Sequence, residues 1–135
     1  MPYTIAYDEI RGGVISTFSG NITPEDVFNS FIERFEDPQG SAVGNYSIGD
    51  YTNVSSLTLS TDNVRDLAGR ARSLLQRQKN LIVVIVAPSD IAFGLGRMLE
   101  LYADRAEAIT VFRTLAEADA WISERLRARH SGIDA

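Results

Sequence analysis

Cysteine is absent from this 135-residue chain. Without thiols there is no disulfide, no thiolate nucleophile and no zinc site built on sulfur. Histidine occurs once, as His130, close to the C-terminal end. A Ser-His-Asp triad or a histidine-based metal centre inside the fold is thereby all but excluded, and neither a metal nor a cofactor is expected. Basic residues are in deficit, 13 against 18 acidic ones for a formal charge of −5. That balance argues against a nucleic-acid backbone as the main partner. Long apolar runs are missing too. The longest, residues 81–87, falls far short of the roughly 20 residues that a membrane span needs. The opening Met1-Pro2-Tyr3-Thr4 has neither the basic region nor the apolar stretch of a signal peptide, so a cytoplasmic location is expected. On that reading the acceptor patterns at Asn21, Asn45 and Asn53 are chance matches. No phosphate-binding loop ending in Gly-Lys occurs.

What is present fits one globular unit: 44% apolar and 23% charged residues, with ten glycines and four prolines. A chain of this size buries roughly two thirds of its extended surface, enough for one core and not two. We read residues 1–127 as a single domain and residues 128–135 as a frayed tail. Charge is unevenly spread. Residues 1–60 carry eight acids and two arginines, whereas residues 61–100 carry four acids and six bases. The basic run of Arg65, Arg70, Arg72, Arg77 and Lys79 reads as the solvated face of a helix.

Hydrophobic periodicity divides the chain into nine elements. Residues 3–8 alternate as a half-buried strand, Gly12-Gly13 offers a turn, and residues 13–19 return as a second strand. Thr23-Pro24-Glu25-Asp26 is a helix start with a hydroxyl cap, a first-turn proline and two acids at the positive dipole end. Val27, Phe28, Phe31, Ile32 and Phe35 give that helix an aromatic stripe, and Asp37-Pro38 ends it before a loop over 39–45. A weaker strand follows at 46–51, then an irregular stretch at 52–59. Ser60-Thr61-Asp62 opens a second helix. The unbroken run 81–87 reads as a central parallel strand covered on both faces. Pro88-Ser89-Asp90 caps a third helix, with Ile91, Leu95, Met98, Leu99 and Tyr102 facing inward. A last strand at 108–113 leads to the capping box Thr114–Glu117 of a final helix carrying Leu115, Ala118, Ile122 and Leu126. The order β-β-α-β-α-β-α-β-α predicts an α/β domain in which an opening hairpin is followed by βα units forming a mainly parallel sheet flanked by helices.

Ligands of open α/β sheets sit beyond the carboxyl ends of the strands. Here those ends are 50–61, 87–90 and 113–114, where Ser60 or Thr61, Ser89 and Thr114 stand as hydroxyl caps. Asp50 and Asp90 both follow strands, and a carboxylate pair there would suit acid–base catalysis. Gly94-Leu-Gly96 is no dinucleotide fingerprint, because it lies inside a helix and position 99 is leucine. Within the third helix, Phe93 falls about 160° from Leu95, with Arg97 and Glu100 beside it. That strip predicts a homodimer face of Phe93, Arg97 and Glu100, each Arg97 pairing with Glu100 of a second copy across a two-fold axis.

The stretch from Ile48-Gly-Asp50 through Ser60-Thr-Asp62 resembles the centre of STAS domains, the fold of the bacterial anti-sigma factor antagonists. The run Val86-Ala-Pro-Ser-Asp90-Ile-Ala-Phe93-Gly94 with Arg97-Met98, and the ending Val111 to Trp121, resemble the SpoIIAA-like branch of small bacterial proteins, which is grouped with lipid-binding domains. The similarity spans about residues 3–126 in element order. It implies a regulatory, non-enzymatic protein with a protein partner. Antagonists of this family are phosphorylated on the second serine of an Asp-Ser-Ser-Gly-like signature, and alignment on Asp50 puts Ser60 there, with Thr58, Leu59 and Thr61 in place of the family's other three residues. The resemblance and the strand-end rule together mark Asp50, Thr58, Ser60, Thr61, Ser89 and Asp90 as the binding edge and Ser60 as a candidate phosphosite. Two alternatives follow from other features: a small apolar or lipid ligand carrier, from the aromatic first helix, and a carboxylate enzyme, from Asp50 and Asp90.

Overall fold

The computed structural model describes residues 2–36, 44–105 and 107–130. The expected helix stop at Asp37-Pro38, residues 39–43 of the expected loop and residues 131–135 of the expected tail lie outside the described residues. Strands β1 (Tyr3–Asp8) and β2 (Gly13–Ile22) form the opening hairpin, followed by α1 (Pro24–Phe35), β3 (Tyr46–Leu57), α2 (Thr61–Arg77), β4 (Ile82–Val86), α3 (Asp90–Ala103), β5 (Ile109–Phe112) and α4 (Leu115–His130). Residues 128–130 thus continue α4 rather than fray. The five strands lie in sequence order, β1 antiparallel to β2 and the rest parallel. This is the α/β architecture that the alternation of elements predicts.

Sequential strand order has a consequence for the layers. Right-handed crossovers that step the same way along a sheet place their helices on one face, so α1, α2 and α3 share a side. The last helix is not a crossover and is free to cover the other. Val83 and Ile85 of β4 accordingly face a core built with α1, α2 and α3, including Phe31, Leu74 and Leu99. Ile82, Val84 and Val86 face α4 through Ala118, Ile122 and Leu126. The aromatic stripe of α1 is used up in packing: Phe31 is buried, Phe35 meets it edge-on at 4.8 Å, and Phe28 lies under the Arg70 guanidinium. Beneath α1 runs a polar seam in which Ser16 and Ser30 share a hydrogen bond of 2.7 Å and the buried Arg34 donates to the Ser47 hydroxyl at 2.8 Å. Burial pulls the Arg34 guanidinium down to about 10, which leaves it charged at neutral pH.

One strand is longer than its sequence suggests. The polar stretch 52–57 continues β3 because β2 itself runs on to Ile22 and pairs with it. Beyond β4 the two form a two-stranded ribbon. Register shifts at Thr17/Ser19 and Gly20/Asn21 give β3 two more residues than β2, which bends the ribbon. The bend brings Leu57 against Ala87 and Ala92.

At the opposite end of the sheet the hairpin is tied to α4. Asp8 Oδ2 accepts from the Tyr46 hydroxyl at 2.6 Å and from Arg11 Nε at 2.9 Å. Arg11 lies over the Tyr46 ring and reaches Asp119 at 2.8 Å and Ser123 at 3.2 Å. The hydrogen bonds from Tyr46 and Arg11 hold the Asp8 carboxyl down to about 2, while burial and the Asp8 partner push the Tyr46 hydroxyl up to about 12. A carboxylate with a depressed folded pKa stabilises above its unfolded pKa and loses that contribution as pH falls through the folded value. Asp8→Asn is therefore expected to cost about 1 kcal/mol at pH 7 after solvent screening. Urea unfolding should show this gap closing between pH 4 and about pH 2. A gap that does not change with pH would refute the assignment.

Candidate functional site

The strand-end edge carries three capped helix starts. Ser60 is exposed, its hydroxyl accepting from Asn63 N at 3.0 Å while Asn63 Oδ1 accepts from Ser60 N at 2.9 Å. Thr61 is the first residue of α2 and is exposed, and Thr58 N donates to the Ile22 carbonyl at 3.0 Å where the ribbon ends. Ser89 caps α3, accepting from Ala92 N at 3.1 Å. Asp90 is exposed and pairs with Arg113 at 2.8 Å. The same guanidinium donates to the Pro88 carbonyl at 2.9 Å and stacks on Phe93 at 4.1 Å, tying the end of β5 to the start of α3. Through Leu57, the ribbon end and the 87–92 turn meet. Ser60→Ala is expected to destabilise the protein by about 1 kcal/mol, as loss of a hydroxyl cap does, measurable by thermal unfolding. Ser60→Asp, which keeps an acceptor at the helix start, should restore most of it. Equal stability of wild type and alanine variant would rule out the cap.

Asp50 does not belong to this edge. Side chains alternate along a strand, so Asp50 follows Tyr46 and Ile48 onto the face covered by α4, across the sheet from α2 and α3. It is 8% exposed and accepts from the Thr52 amide at 3.0 Å and hydroxyl at 2.6 Å. Asp90 is engaged by Arg113 on the other side. No contact among the described residues joins the two carboxylates, so the expected acid–base pair is not formed. The described residues hold no group of three or more His, Asp and Glu placed to bind a metal ion.

The expected homodimer face is also rearranged. Leu95, Met98, Leu99 and Tyr102 pack on the core as expected, but the most deeply buried stripe of α3 is Ala92, Gly96, Leu99 and Ala103, its centre turned by about one residue toward β5. The cause is close packing: at Gly96 an added Cβ would lie 2.8 Å from Val111 Cγ2, so α3 approaches β5 where its side chains are smallest. Phe93 consequently turns toward the β5 edge, half-buried against Ala87, Ala92 and Val111 under Arg113. Glu100 turns the same way, its carboxylate accepting from Val111 N at 2.6 Å and covering an edge-strand N–H. Arg97 stays exposed and lies 3.9 Å from Glu100 of its own chain. What points outward is Ile91, expected to be inward and instead 71% exposed, with Leu101 at 76%. Leu115, among the apolar residues read on the final helix, is 46% exposed at the start of α4.

Behind the edge, between α2, α3 and the ribbon, is an apolar void lined by Leu57, Leu59, Val64, Leu67, Leu95 and Leu99. Its volume is about 30 Å³, room for about one water or methyl group. Tyr51 stands at its side, stacked on Phe18 at 4.5 Å, and burial pushes its hydroxyl up to about 12. The sequence reading missed Arg113 and Ile91. Arg113 carries no local signal, because its three partners come from α3 and the turn before it.

The fold and the edge define a single α/β domain with a mixed five-stranded sheet and capped helices. No protein-family model matches the chain, and a search of curated proteins finds no match. No helix among the described residues is long and apolar enough to cross a membrane.

Proposed function

We propose that this protein is a non-enzymatic regulatory domain of the STAS, SpoIIAA-like kind, acting in the cytoplasm by binding another protein. The observation that carries this reading is the outer strip of α3. Ile91 and Leu101, both exposed, lie about 80° apart around the helix, with Gly94 between them. The strip begins two residues after the Ser89 cap. Exposed apolar groups beside polar caps suit protein recognition. The void behind them is about 30 Å³, too small for an acyl chain, which favours this reading over a lipid carrier. Phosphate on Ser60 would be favoured by the positive end of α2 and would add about two negative charges to the strand-end edge, enough to repel an acidic partner.

A second copy of the chain is the first partner to test, by light scattering of wild type and Ile91→Asp at micromolar concentration. For other partners, immobilised wild type and Ile91→Asp are exposed to lysate of the native host, and any retained protein is purified and its affinity measured. One stoichiometric protein partner, bound at least tenfold more weakly by Ile91→Asp and by Ser60→Asp, is the expected result. A stoichiometric small molecule with no protein, or a partner indifferent to both changes, would overturn the proposal.

A further inference from the structure

The opposite end of the sheet, where β4 and β5 begin, holds a second cavity of about 310 Å³. Lys79, Arg105, Arg125 and Arg129 surround it with a single carboxylate, Glu107. Arg125 and Arg129 are four residues apart on α4, so they share a face and repel. Arg125 is held in place by donating to the Glu107 carbonyl at 2.7 Å and by lying over the Trp121 ring at 4.7 Å. Arg105 stands 3.9 Å from the Glu107 carboxylate. Among the described residues no carboxylate pairs with Lys79, Arg125 or Arg129, and Arg129 Nη1 is buried with no hydrogen-bond partner. A buried guanidinium N–H without an acceptor is costly, and an anion in the cavity relieves it. The floor is apolar, formed by Leu75, Leu81, Ile82 and Ala108.

We propose that this cavity binds a small phosphate monoester. Convergent guanidiniums with one carboxylate leave a surplus of positive charge that a dianion matches better than a carboxylate does. Planar N–H forks suit phosphate oxygens. Arg129, Arg125 and Lys79 take the phosphate, and the organic part lies on Ala108, the floor residue that keeps partial exposure. The volume is at the small end of ligand pockets, which run from roughly 300 to 1,000 Å³. Both α2 and α4 end nearby, so Lys79 and Arg129 also offset helix dipoles. A purely structural role of that kind requires no anion, and the experiment separates the two.

The full chain is titrated with phenyl phosphate and, separately, with inorganic phosphate at constant ionic strength, following arginine Nε–Hε and backbone amide signals by NMR. Saturable shifts at Arg125, Arg129 and Ala108 are expected, with phenyl phosphate binding several-fold more tightly because its ring covers Ala108 and the aliphatic stems of Lys79 and Arg125. Arg129→Gln should weaken binding about tenfold or more. Lys79→Gln, at the exposed rim, provides the same reading should Arg129→Gln disturb the fold. Arg127→Gln, on the other face of α4 and paired with Glu124, should leave binding unchanged. Absence of saturable shifts, or shifts that survive both Arg129→Gln and Lys79→Gln, would reduce these cations to dipole neutralisation. Equal affinity for the two probes would replace the monoester with free phosphate and overturn the proposal as stated.

Discussion

Replacing Gly13 by alanine is expected to remove about 3 kcal/mol or more of folding stability, the upper range for overpacking a filled core. Gly13 opens β2 and lies opposite Tyr46 in the register. An added Cβ would land on the Tyr46 ring. That ring has nowhere to go: it is fully buried, Arg11 lies over it, and its hydroxyl is held by Asp8. The strain therefore falls on the hairpin and on the contacts that tie it to α4. Urea unfolding followed by circular dichroism measures the loss. A double-mutant cycle isolates its cause. Tyr46→Ala by itself should cost about 3–5 kcal/mol as a large-to-small core change, but Gly13→Ala made in that background should cost under about 1 kcal/mol. Additive losses would mean that the glycine is needed for some reason other than the ring.

The second large effect is a difference of sign between two glycines of α3. At Gly94 an added Cβ meets nothing within 4 Å, so Gly94→Ala should stabilise the protein by about 0.5–1 kcal/mol through helix propensity alone. At Gly96 the same methyl would lie 2.8 Å from Val111 Cγ2 and 3.1 Å from its Cβ. Valine is stiff at χ1, so the helix must move off β5, and Gly96→Ala should destabilise by about 1–3 kcal/mol despite the better propensity. Val111→Ala in the same chain should recover part of that loss. The measured separation between the two variants is expected to reach about 2–4 kcal/mol. Two stabilising variants would mean that α3 does not sit on β5 through Gly96.

Much of the architecture is legible without coordinates because it rests on local chemistry. Periodicity and caps locate the nine elements of the described residues, and Ser60, Ser89 and Thr23 cap helices in the structure as their sequence context suggests. The site is less legible. The large apolar residues of α3 suggest an inward face that includes Ile91. Leu95, Met98, Leu99 and Tyr102 do pack on the core, but Ala92, Gly96 and Ala103 carry the buried face toward β5, because small side chains let the helix sit closer to the sheet, and Ile91 is left outside. Phe93 and Glu100, which look like an outward strip on the isolated helix, are drawn to the β5 edge by that rotation. Likewise 52–57 is too polar to read as a strand, and becomes one because β2 is beside it to pair with.

By itself, then, the sequence determines that this is one α/β domain without thiol chemistry, with a hairpin first and a mainly parallel sheet after it, since alternation, capping and composition act over a few residues at a time. Tertiary structure alone decided which face of α3 is buried, that Asp50 and Asp90 lie on opposite sides of the sheet, and that cations from α4, the α2–β4 turn and the α3–β5 loop converge on one cavity. Those outcomes depend on strand register, on how closely two elements approach and on residues up to 50 positions apart, such as Lys79 and Arg129, none of which a local pattern encodes.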